Sequence, residues 1–158
     1  MPLSPPPRDD LGNVKPHDHP DILEDDGVIR RISSQWVVSD PKANGGRRIS
    51  TAAFEPSSME NGAGLSVDLE RAITDAGLDP HTHVTTPRWI ASVKLSARQF
   101  RNLGLIVGYS PIDESPNEMA NLYHGEVWGI KTRSQKKALL NNCNWFVPIE
   151  NCALGEEK

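Results

Sequence analysis

The stretch Leu65-Ser-Val-Asp-Leu-Glu-Arg-Ala-Ile-Thr-Asp-Ala-Gly77 decides how the rest of the chain is read. Leu65, Val67, Leu69 and Ile73 do not share one helical stripe. The spacing instead predicts a short strand at Leu65–Val67 running into a helix from Asp68, closed by Gly77 as its C-cap. Working outward, Ile29, Ile32, Trp36, Val37 and Val38 read as extended segments before it, and Ile49, Thr51 and Phe54 as a further strand after the turn signal Asp40–Gly46. Downstream, Trp89–Leu95 reads as a strand and Ser96 as the N-cap of a helix ended by Gly104. Leu105–Tyr109 and Glu126–Ile130 read as strands, Ser134 as the cap of a helix carrying Ala138, Leu139 and Leu140, and Trp145–Val147 as a terminal extended segment. Pro80–Pro87 reads as a loop bracketed by prolines, and 56–64 as a polar loop.

Strands crowd the first part of the chain without a regular strand–helix–strand alternation. That pattern predicts an α+β fold with a mixed or mainly antiparallel sheet of five or six strands and about three helices. Trp89, Phe100, Leu105, Ile106 and Trp128 are the expected core. The string Arg-Arg-Ile-Ser occurs twice, at 30–33 and 47–50, too short to make a repeat.

The chain has 158 residues, which predicts one domain. Residues 1–27 read as a disordered acidic, proline-rich tail and residues 28–158 as the single domain. Pro2, Pro5, Pro6, Pro7, Pro16 and Pro20 interrupt any helix, and Asp9, Asp10, Asp18, Asp21, Glu24, Asp25 and Asp26 face only Arg8 and Lys15. The net charge of −4 belongs mainly to that tail, and it argues against a nucleic-acid partner. No apolar run is long enough for a membrane span, and the opening Met1–Asp10 lacks a basic region followed by an apolar stretch. Cys143 and Cys152 form no zinc pattern and read as reduced thiols. The expectation is a cytoplasmic protein. No pattern fixes a cofactor or an oligomeric state.

Four segments carry candidate chemistry. Gly45-Gly46-Arg47-Arg48-Ile49-Ser50-Thr51 sets guanidinium, hydroxyl and backbone N–H groups where a phosphate could be held, or is a hairpin turn with exposed arginines. His124 and Glu126 stand two residues apart where a loop feeds a strand. They suit an acid/base pair near neutral pH, or a histidine packed beside Tyr123 and Trp128. His81 and His83 would need a third ligand to hold a metal, so no metal site is assigned. Lys131 and Arg133, with Lys136 and Lys137, lie at a helix start that would attract an anion, or form a solvated face.

Ser50–Phe54, Gly64–Leu69, Leu103–Pro111 and Asn117–Thr132 follow the order SSxAF, GLSVDL, LGLxVxxDP and NPxHxxVxGxKT. In that order the chain resembles a scattered group of small bacterial proteins, departing from it at Asn117, where the Asn-Pro pair is missing. It is also similar to ADP-ribosyltransferase-like toxins of the RES type. Those carry an early-strand arginine (Arg30 or Arg31 here), a Gly-Arg-x-Ser/Thr segment (Gly46–Thr51), a strand running into a helix (Leu65–Ile73) and a late Asn-x-x-His element (Asn121–His124). The first resemblance implies a bacterial origin and no particular activity; the residues themselves are read as those of an accessory protein that binds a partner protein or an anionic small molecule. The second implies an enzyme of toxin or defence type acting on NAD or another nucleotide.

Overall fold

The structure is a computed structural model, and it describes residues 3–56, 64–86, 89–116 and 119–155. The expected polar loop at 56–64 falls largely outside those residues, as do Pro87 and Asn117.

Alternating apolar residues mark Leu65–Leu69 and Ala91–Ser96, the clearest strands of the main sheet. Its strands are β1 (Gly27–Ile32), β4 (Leu65–Leu69), β5 (Ala91–Ser96), β6 (Ile106–Tyr109), β7 (His124–Trp128) and β8 (Asn144–Val147), in the order β6-β7-β4-β1-β5-β8 with each pair antiparallel. A small sheet joins β2 (Val37–Ser39), β3 (Arg47–Ile49) and β9 (Ala153–Leu154), with β3 and β9 parallel. The helices are α1 (Glu70–Asp75), α2 (Pro80–Val84), α3 (Ala97–Arg101) and α4 (Arg133–Asn142). The fold is α+β with a mainly antiparallel six-stranded sheet, as the sequence implies.

Register assigns each side chain to a face. Val28, Leu69 and Leu95 stand side by side on one face, while Ile29, Asp68 and Lys94 stand on the other. The first face carries the main core, where Val28, Ile32, Val67, Val93 and Val127 meet Phe54, Phe100 and Leu139. On the second, Ile29 packs with Ile73 of α1 and Val84 of α2. That smaller cluster leaves part of the second face to polar residues. A cleft opens beside them.

Helix boundaries follow from capping. Ser96 and Gln99 form the capping box that starts α3, and Gly104, at φ 79°, ends its last turn as expected. Gly77 takes φ 80° after α1. α4 is capped by Thr132 with Gln135, not by Ser134, because Thr-x-x-Gln satisfies two backbone N–H groups reciprocally. Pro80–Val84 is a short helix rather than a loop: Asp79 caps it, and proline suits its first position. Trp128 is 6% exposed and Phe100 is fully buried, whereas Trp89 and Ile106 are only half-buried. Trp128→Ala is therefore expected to cost about 3 kcal/mol in urea unfolding. Burial pushes the Cys143 thiol up to about 12, so it stays protonated.

The expectation of a disordered arm over residues 1–27 does not hold for its described part. Ile22 is 2% exposed within the main core, His19 is 1% exposed, and Leu3 packs against the same cluster. The segment lies along β6. The Val107 N–H donates to Asp18 at 2.9 Å, the Tyr109 N–H to His17 Nε2 at 3.1 Å, and the His19 N–H to the Val107 carbonyl at 2.8 Å. It also supplies carbonyls of Asp26 and Glu24 to the N–H groups of Ala97 and Arg98, which the start of α3 leaves unpaired. Arg71 pairs with Asp26, Arg98 with Asp25, and Arg101 with Asp18 and Glu24. Acid and proline here make an extended strap, because its backbone and carboxylates bond sideways to the domain.

Candidate functional site

Arg30 sits in the middle of β1, between Ile29 and Arg31. Its side chain lies on the core face, 9% exposed, and reaches the end of the apolar layer. There Nε donates to the Ala53 carbonyl at 2.8 Å and Nη1 to the Ser66 carbonyl at 2.9 Å. The guanidinium lies 4.8 Å from the ring centre of Trp36. Burial draws its pKa down to about 10, against the opposing pull of Asp68. It stays charged at neutral pH. Nη2 makes no hydrogen bond among the described residues.

Arg31, the next residue, points to the opposite face and is paired with Asp68. Its Nε and Nη2 donate to the two oxygens of Asp68 at 2.8 and 3.1 Å, and Nη2 also reaches the His83 carbonyl at 3.4 Å. Asn121 Nδ2 donates to Asp68 at 2.9 Å. The amide oxygen of Asn121 accepts from the Tyr123 N–H and from His83 Nε2, both at 3.2 Å. Four side chains from β1, β4, α2 and the loop before β7 thus form one polar network.

His124 opens β7 across from Asp68 on β4. Its Nδ1 lies 2.7 Å from the Ser110 carbonyl. A carbonyl only accepts, so Nδ1 carries a proton, and in the neutral form of the ring the lone pair is on Nε2. Glu126 shares that face, two residues on. Burial raises its pKa, while His124 and the Gly64 N–H pull the other way. Arg30, Arg31, Trp36, Asp68, Asn121 and His124 all line a cleft of about 610 Å³, with Trp89, Glu55 and Met119 also on its walls. The rings of Trp36 and Trp89 stand 6.0 Å apart.

No protein-family model, no curated protein and no solved structure matches the chain. The chemistry is read from the geometry.

Of the residues singled out from sequence, His124 lines the cleft and Glu126 neighbours it along the strand. The arginine turn lies elsewhere. Arg47 is exposed and donates to the Glu150 carbonyl at 2.7 Å, and Arg48 pairs with Asp40 at 3.1 Å. Ser50 and Thr51 are half-buried and do not line the cleft, although the Ser50 N–H donates to the Trp36 carbonyl at 2.8 Å. Lys131 and Arg133 are exposed beside the cap of α4, away from the lining residues. His81 and His83 diverge: His81 stacks on Phe146 with ring centres 3.8 Å apart, and His83 turns to Asn121. Arg30, Arg31 and Asp68 carried a signal that periodicity alone passes over. Each is a charged residue inside an otherwise apolar strand, and such charges are buried only with partners.

Proposed function

We propose that the chain is a small binding protein whose cleft takes an anionic ligand, such as one bearing a phosphoryl group. The observation that carries this reading is Arg30. Its desolvated guanidinium is fixed by two carbonyls and presents Nη2, unbonded among the described residues, in a cleft it helps to line. A held arginine loses little freedom on meeting an anion, and a charge-assisted bond there is worth about 1.5–3 kcal/mol. Titration calorimetry with adenosine monophosphate tests it. Arg30→Gln is expected to weaken binding by about 10- to 100-fold, with Arg30→Lys intermediate and far-ultraviolet circular dichroism unchanged. Binding that is indifferent to Arg30→Gln removes the proposal.

A second reading, an enzyme acting on a nucleotide-type substrate, is favoured by His124. Its tautomer leaves a proton-accepting Nε2, and the same cleft holds Arg30 and the Asn121 network. In that reading the purified protein consumes NAD and His124→Ala abolishes the turnover while the fold persists. Absence of turnover in the wild type eliminates the enzyme and leaves the binding module.

A further inference from the structure

Resting on the anion-binding reading, we infer that the ligand is a flat-ringed molecule with one anionic group, not a polyphosphate. Among the described lining residues, the charged side chains are Arg30, Arg31, Glu55 and Asp68. Arg31 is neutralised by Asp68 through two hydrogen bonds, and Glu55 pairs with Lys136. Among the described lining residues, one positive charge, that of Arg30, is left for the ligand.

Arg30 itself has little to offer beyond a single group. Nε and one N–H of Nη1 are bound to the Ala53 and Ser66 carbonyls, so the remaining donors fit one carboxylate or one phosphoryl group. A second phosphate would find no further unpaired cation among the described lining residues, since the carboxylates of Asp68 and Glu55 already hold Arg31 and Lys136. The other walls have different demands. Trp36 and Trp89 form an aromatic side that favours a planar partner. His124 Nε2, an acceptor, calls for an amine or hydroxyl donor on the ligand. One anionic group, a flat ring and a hydrogen-bond donor describe a nucleoside monophosphate, or an aromatic carboxylate with an amine or hydroxyl.

Titration of the full chain with four probes separates the outcomes: adenosine monophosphate, adenosine triphosphate, inorganic pyrophosphate and 4-aminobenzoate. Adenosine monophosphate or 4-aminobenzoate is expected to bind about tenfold tighter than pyrophosphate, with the triphosphate no tighter than the monophosphate. Which of the two single-anion probes binds distinguishes a phosphoryl ligand from a carboxylate. Triphosphate or pyrophosphate binding tighter than both single-anion probes overturns the inference, and so does pyrophosphate merely matching them. If that binding is still lost in Arg30→Gln, the anion-binding proposal survives. No binding by any probe removes both.

Discussion

Deleting residues 1–26 is expected to lower the melting temperature by about 10–20 °C. Ile22 alone, buried in the main core, is worth about 2–5 kcal/mol. The deletion also strips Asp18 and His17 from the N–H groups of Val107 and Tyr109, and Asp26 from Arg71. A total near 5 kcal/mol, at about 2–4 °C per kcal/mol for a chain of this size, gives that range. Most of the ion pairs in the strap are solvated and add little, so Ile22→Ala should reproduce a large part of the loss. Differential scanning calorimetry on the deletion and on Ile22→Ala checks both. A shift below about 3 °C for the deletion would show that the strap does not pack in solution.

The second large effect is expected at Asp68. Its side chain is 4% exposed and accepts from Arg31 and Asn121, so Asp68→Ala strands the Arg31 guanidinium in a partly buried site. Removing one partner of such a pair costs about 3–5 kcal/mol. The double variant Arg31→Met with Asp68→Leu is expected to lose less than Asp68→Ala alone, because no charge is left unpaired. Urea unfolding measures both. A loss below about 1 kcal/mol for Asp68→Ala would mean that water replaces the carboxylate freely.

The elements of the fold were legible where local chemistry decides them. Ser96, Gln99 and Gly104 bracket α3 because capping acts within a single turn. The strap was not legible, since composition counts acid and proline against folding but says nothing of their bonding to an edge strand. The two Arg-Arg-Ile-Ser strings show the limit most sharply. The copy at 47–50 follows a glycine turn and looks like the phosphate site, yet it lies in and just after β3 of the small sheet. The copy at 30–33 begins in β1, where Arg30–Ile32 pair with β5, and its two arginines line the cleft. Identical residues differ here only in where the sheet puts them. His124 was readable from its loop-to-strand position, whereas its neighbours were not: Asp68 and Asn121 meet across 53 residues of chain.

The most direct test of the cleft as the anion site follows the arginine side-chain Nε–H resonances of 15N-labelled protein, with Arg30 assigned by Arg30→Lys, during titration with adenosine monophosphate. The Arg30 signal is expected to shift in step with binding while those of Arg47 and Arg48 stay in place. Shifts at Arg47 or Arg48 with Arg30 unmoved would contradict it.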